Sequence, residues 1–386
     1  RRLAGRYLHV EVLAAQQSKK PGDPCGDVYA FERTATATTL VCADGIGSGI
    51  KANVAANMAA SRLLELLRQG FSQREAFSHV VQTMEHAKHA DLPYVAFSLA
   101  RILNGGETTV LSYEAPGPLL VGRRHTAILP QHNVMLGAAL TLEANCHLEP
   151  GEGILLMTDG ITQAGLGGST RGGWKLEGAN RHATDLLANG VPPDSLPARL
   201  NQRAVQLSSG TAGDDCTTVL ALCRLGKVVT VFTGPPADAK KDREVARNFL
   251  AAEGTRVICG ATTADIIARY LGTKVTIDRS SQSMLAPPGY LLDGIDLVTE
   301  GSVTLNQVYN VLDVDPSQFD EDSGVTSLYE LLVHADRVNF ILGTAQNPAN
   351  WHISFQQRGL LPRTKIVELL ADKLREAGKL VVIQRV

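Results

Sequence analysis

The chain has 386 residues, with 37 Lys and Arg against 39 Asp and Glu, so its formal net charge is −2 and it exerts no general pull on nucleic acid or an anionic membrane. No apolar run approaches the ~20 residues of a spanning helix, and the basic start at Arg1-Arg2 has no apolar core behind it, so neither a membrane span nor a secretory signal is expected. At about 100–200 residues per domain, the length calls for two or three domains with cores of their own.

Tyr7–Leu13 alternates apolar and polar side chains in part and predicts a strand, followed by a Pro/Gly/Ser-rich loop to Pro24. Asp27–Phe31 and Thr38–Ala43 are short, apolar and β-branched, which predicts two more strands, each next to an Asp. From Gly47 to Gly70 the apolar residues Val54, Met58, Leu63, Leu64, Leu66 and Leu67 recur among alanines at helical spacing. Ser72-Gln-Arg-Glu75 has capping-box form and opens a second helix to about His89. Strands follow at Tyr94–Ile102, Thr108–Tyr113, Pro118–Val121, Glu143–Leu148 and Gly153–Met157, then helices near Asp185–Gly190 and Leu196–Leu207, then a closing strand at Thr217–Cys223. Short strands broken by paired helices predict an α+β domain in which helices cover sheets.

From Lys227 the pattern changes. Strands at Val228–Phe232, Thr255–Cys259, Lys274–Ile277, Val338–Leu342 and Leu380–Ile383 alternate with helical stretches at 237–252, 262–271, 303–312, 325–335 and 364–377. That alternation predicts a smaller α/β domain with a parallel sheet, and places the two domains at residues 1–226 and 227–386. Six cysteines are scattered with no Cys-x-x-Cys pair, which suits small buried hydrophobes in a reducing, cytoplasmic setting better than a zinc site.

Acidic residues at predicted strand ends carry the chemistry. They are Asp27 in Cys25-Gly-Asp-Val-Tyr29, Asp44 in Ala43-Asp-Gly-Ile-Gly-Ser-Gly49, Asp159 in Leu156-Met-Thr-Asp-Gly160, and the Asp214–Asp215 pair in Ala212-Gly-Asp-Asp-Cys216. Taken singly, each Asp-Gly is an ordinary turn. Taken together, with no His or Cys beside them, they are the oxygen donors that hard cations such as Mg²⁺ or Mn²⁺ select. The chain carries 36 glycines, about 9% against a usual ~7%, and one flanks each of Asp27, Asp44, Asp159 and Asp214, where close backbone approach and sharp turns are needed.

These motifs, with Leu148-Glu-Pro-Gly-Glu-Gly153 before the Asp159 strand, Gly213-Asp-Asp-Cys-Thr-Thr-Val-Leu220, Tyr94-Val-Ala-Phe-Ser-Leu99 and Glu114-Ala-Pro-Gly-Pro-Leu-Leu120, resemble in order and spacing the bacterial protein phosphatase 2C family, in its stage II sporulation protein E-like branch, over residues 6 to 224. The resemblance implies a β-sandwich flanked by helices, with two Mn²⁺ or Mg²⁺ ions at one edge. It also implies hydrolysis of phosphoserine or phosphothreonine in a protein, by attack of a metal-bridging water without a covalent intermediate. By motif, Asp44 would bridge both metals, the Gly45 carbonyl would help bind one, Asp159 and Asp214 would complete the other, and Asp27 would bind metal or its water. Asp215, next to Asp214, would support the ligands. A phosphorylated anti-sigma-antagonist-like protein is the implied kind of substrate.

Glu152, Gln163 and Ala96 depart from the family's usual Asp, acidic residue and Thr, though none is an implied ligand. The phosphate-binding Arg of the family's animal-type members has no clear counterpart, leaving Lys19 or Lys20 as phosphate contacts or as solvated loop charges. A catalytically silent binding module on the same fold and a small-molecule phosphohydrolase stand as the alternative functions. His86 and His89 share a helix face and could chelate a metal, or decorate a solvated surface. Gly45-x-Gly-x-Gly49 lacks the Lys-Ser/Thr of a nucleotide loop. In the second domain, Cys259-Gly-Ala-Thr-Thr263 is either an anion-binding helix start or a plain capped turn. Asp293–Glu300 has no recognisable ligand spacing, and Asn350-Trp351 reads as local packing. A regulatory, ligand-sensing or dimerising role, and with it a homodimer, is the expectation for this domain.

Overall fold

The computed structural model describes residues 7–20, 22–47, 49–137, 139–168, 170–209, 213–278, 289–314, 323–345 and 359–386, so Asn350-Trp351 lies outside the described residues. The chain divides into two compact units, Leu8–Leu225 and Gly226–Val386.

The first unit has two antiparallel sheets. One orders β1 (Leu8–Gln17), β11 (Cys216–Leu225), β10 (Gly153–Met157), β6 (Leu119–Val121) and β7 (Thr126–Ile128). The other orders β2 (Asp27–Arg33), β3 (Ala37–Gly45), β4 (Val95–Leu103), β5 (Glu107–Tyr113), β9 (Ala139–His147) and β8 (His132–Leu136). Their inner faces share a core in which Leu40, Cys42, Ala100, Ile102 and Val110 meet Val10, Ile154, Leu156, Val219 and Ala221. Helices α1 (Ile50–Arg68) and α2 (Gln73–His89) cover the second sheet; α3 (Asp159–Thr162), α4 (Lys175–Ala188) and α5 (Leu196–Leu207) cover the first. The expected β-sandwich flanked by helices is therefore present.

Local chemistry explains the frame. The capping box forms as expected: the Glu75 N–H donates to Ser72 Oγ at 3.3 Å, and the Ser72 N–H to Glu75 Oε2 at 2.8 Å. In α1, however, the buried stripe is Ala52, Ala56, Ala59, Ala60, Leu63, Leu64 and Leu66, while Val54 and Met58 are exposed. Alanines let the first turns of the helix approach the sheet closely, so small residues mark its inner face there and leucines toward its end. Helix α4 begins ten residues ahead of the expected Asp185.

The second unit has a mixed sheet. Strands β16 (Leu297–Thr299), β13 (Thr255–Cys259), β12 (Val228–Thr233), β17 (Arg337–Leu342) and β18 (Leu380–Arg385) are parallel neighbours in that order. The expected strand near Lys274–Ile277 is β14 (Thr276–Asp278), which pairs antiparallel with β15 (Gly289–Leu291) at the edge, so the sheet is not wholly parallel. Helices α6 (Asp242–Leu250) and α7 (Ala261–Leu271) cover one face; α8 (Ser302–Val311), α9 (Gly324–His334) and α10 (Arg363–Glu376) cover the other. Both faces being covered, β12 is buried along its whole length and reads as a continuous apolar run.

Candidate active site

The hairpin of β2 and β3 sets Asp27 directly opposite Asp44. Strand β10 delivers Asp159 at the start of α3, and β11 begins just after Asp214 and Asp215. Asp27 and Asp44 thus come from one sheet, and Asp159, Asp214 and Asp215 from the other.

Three of these carboxylates meet. Asp44 lies against both Asp27 and Asp159; burial first, then the charges of those two neighbours, drives its carboxyl far above the ordinary range. Asp27 is 2% exposed, and its burial likewise raises it, against the pull of the Thr158 hydroxyl, which donates to Oδ2 at 2.8 Å. Its other oxygen, Oδ1, is buried with no hydrogen-bond partner. Asp159 Oδ2 accepts from Gln163 Nε2 at 2.7 Å, which gives the family-atypical Gln163 a job. Asp214 sits apart on the rim, accepting from Lys19 Nζ at 3.4 Å and from the Asp215 N–H at 3.0 Å.

Among the described residues no three His, Cys, Asp or Glu side chains, as placed, form a cage that could hold a metal ion. The donor chemistry still fits a hard cation: every donor is an oxygen, one buried oxygen is orphaned, and adjacent carboxylates repel until positive charge joins them. Asp27, Asp44, Asp159 and Asp214, with the Gly45 carbonyl, are the residues that would hold it. His86 and His89 are exposed on α2.

The support is dense and was mostly missed by sequence reasoning. Thr158 also accepts from the Thr217 N–H at 3.0 Å, and Gln16 Nε2 donates to the Asp27 carbonyl at 3.2 Å and to Thr217 Oγ1 at 3.1 Å. Asn53 Nδ2, on α1, donates to the Cys25 carbonyl at 2.8 Å. Asp215, 6% exposed, accepts from the Lys19 N–H at 2.7 Å and the Gly26 N–H at 2.9 Å, so it ties down both ends of the loop that leads to Asp27. The only local signal for Gln16, Thr158, Thr217 and Asp215 was position beside an Asp or a strand end, and Asn53 on α1 had none.

The neighbouring aspartates should therefore behave differently. Asp215→Ala strands the buried Gly26 N–H and the part-buried Lys19 N–H and should cost about 2–3 kcal/mol, whereas Asp214→Ala removes an exposed ion pair and a local acceptor for the Asp215 N–H and should cost about 1 kcal/mol or less. Calorimetric melting of the metal-free protein checks this, and equal losses would refute it.

An antiparallel sandwich between helical layers, with acidic residues gathered at one edge, defines a phosphatase 2C-like domain. Residues 34–224 match the family model of stage II sporulation protein E. Among solved structures, the chain is similar to the RsbU and RsbW domains of Rv1364c from Mycobacterium tuberculosis, with 18% identity, a TM-score of 0.48 and coverage of 64% of this chain and 68% of that one. It is similar also to the phosphatase domain with a regulatory fragment of SpoIIE from Bacillus subtilis, at 18% identity, TM-score 0.46, and 57% and 63% coverage. A structure of RsbX in complex with magnesium gives 16% identity, TM-score 0.40, and 56% and 99% coverage. No curated protein sequence matches the chain significantly. Among the described residues no helix is long and apolar enough to cross a membrane.

Proposed function

We propose that the Leu8–Leu225 unit is a Mn²⁺- or Mg²⁺-dependent protein serine/threonine phosphatase acting in bacterial signalling, with Gly226–Val386 as its accessory unit. The observation that carries this reading is that Asp44 lies against both Asp27 and Asp159 at the sandwich edge, where Asp27 Oδ1 is buried without a partner. Two divalent ions bound there would supply hydroxide at neutral pH and neutralise charge on a phosphoryl group. The chain's own contribution is placement. Thr158 fixes the Asp27 carboxylate, Gln163 fixes Asp159, and Asp215 fixes the Lys19–Gly26 loop. Lys19, beside Asp214 at the rim, offers a positive charge to an incoming phosphoryl oxygen. A phosphoprotein of the anti-sigma-antagonist kind is the proposed substrate.

The test compares phosphate release from a phosphoserine protein, from p-nitrophenyl phosphate and from phosphorylated metabolites, with Mn²⁺ and with chelator. We expect turnover only with metal, preference for the phosphoprotein, and at least a 100-fold loss in Asp159→Asn. No turnover under any metal condition would overturn the enzyme reading in favour of a silent binding module. Preference for metabolites would overturn the protein-phosphatase assignment.

A further inference from the structure

The five parallel strands of the second unit, numbered in chain order, lie 3-2-1-4-5, and the crossovers change face at β12. In open α/β sheets of this winding, ligands bind beyond the carboxyl ends of the strands at that switch point. Here those ends carry Thr233 as the last residue of β12 with Gly234 after it, Gly260 before α7, and Gly343 after β17.

What gathers there is a set of donors. The Gly234 N–H donates to Thr263 Oγ1 at 2.8 Å, so the Thr263 hydroxyl keeps its own proton to give. Helix α7 starts at Gly260 with no side-chain cap, leaving first-turn N–H groups free. The Arg363 guanidinium packs directly over Gly234, where a Cβ would lie 1.4 Å from Nη1. Among the described residues its hydrogen bond goes to the Gly343 carbonyl at 3.3 Å and no carboxylate pairs with it. Along β12, Val229 and Val231 enter the core beneath α8, α9 and α10, and alternation sends Thr233 to that same face, from which Arg363 approaches. Thr233 is fully buried and its Oγ1 has no partner. A buried hydroxyl without a partner is costly unless something binds it. The nearby Glu300 carboxylate is already engaged, accepting from the Val303 N–H at 3.1 Å as it caps α8.

We infer that this switch point binds the phosphate group of a small molecule, held by Arg363, the start of α7 and the Thr233 and Thr263 hydroxyls. N–H, O–H and guanidinium donors at these strand ends, with no carboxylate paired to the guanidinium among the described residues, suit a tetrahedral oxyanion. The site belongs to the second unit alone and does not depend on the phosphatase reading.

Isothermal titration of the full chain in chelator, with inorganic phosphate and separately with ATP, tests it. We expect saturable binding of at least one probe, weakened at least tenfold in Arg363→Met and in Thr233→Val and unchanged in Asp44→Asn. Equal affinities would mark a free-phosphate site, and tighter ATP a phosphate-ester site; both support the inference. Thr233→Val is nearly isosteric and should melt no lower than the parent, so it decides the matter even if Arg363→Met unfolds. No saturable binding of either probe, binding unchanged in Thr233→Val, or binding lost in Asp44→Asn would overturn it.

Discussion

Replacing Asp44 by Asn should raise the stability of the metal-free protein while abolishing metal-dependent phosphate release. In the absence of cations Asp44 is pressed between Asp27 and Asp159, with its carboxyl held well above the ordinary range by burial and by those charges. An amide of the same shape carries no charge and offers two N–H donors to the two acceptors it faces. We expect a gain on the order of 1–3 kcal/mol in chelator near pH 8. The pH dependence has a definite sign. Carboxyls whose folded pKa lies above the unfolded value hold more protons in the folded state, so their stabilisation is present below pH ~4 and is lost as pH rises through neutrality. Metal-free wild type should therefore melt progressively lower as pH is raised from 5 to 9, Asp44→Asn should show a shallower slope, and Mn²⁺ should rescue only the wild type. A variant that melts lower than wild type in chelator at pH 8 would contradict the crowding argument.

Gly160→Ala should be the most damaging single-methyl change in the first unit. A Cβ at Gly160 would lie 1.9 Å from the Asp215 carbonyl oxygen and 2.9 Å from its carbonyl carbon. Those atoms are backbone at the start of a central strand and cannot swing aside. Accommodation must part α3 from β11, moving Asp159 away from Asp215 together. We expect a loss at or above the ~1–3 kcal/mol of ordinary overpacking and loss of metal-dependent turnover with it. Gly213→Ala is the control: the nearest atom to its Cβ would be Ser208 Cβ at 3.8 Å, an ordinary contact. That variant should fall within about 0.5 kcal/mol of the parent. Equal melting temperatures for the two variants would show that the close approach is unimportant. Gly45 repeats the pattern, since its Cβ would meet the Ala52 carbonyl oxygen at 2.1 Å.

What could be read from the sequence was local. The capping box at Ser72, the glycines beside the aspartates and the apolar strands are patterns within a few residues, and each has its counterpart in the fold. Short elements escaped: β7, β15 and β16 span three residues each, too few for any period to register. The inner face of α1 was legible in its alanines but not in Val54 and Met58, because burial there follows close approach more than side-chain size. At the site, the aspartates announced themselves and their holders did not. Thr158 meets Asp27 across 131 positions of sequence, and Lys19 meets Asp215 across 196, separations over which no spacing rule operates. Asp214 and Asp215 are adjacent in sequence, yet one is buried structural support and the other a rim residue beside Lys19, a difference only the strand start decides.

The Thr158–Asp27 bond joins the two sheets of the sandwich. Neither sheet alone contains the acidic edge, and the contacts that build it span long stretches of sequence, so long loops must close before it is complete. A nascent or clipped chain that has made only one sheet lacks the full acidic edge. By the same linkage, any cation held across that edge would favour the closed sandwich by RT ln(1 + [L]/Kd), so divalent metal supply would set how much of this unit is folded.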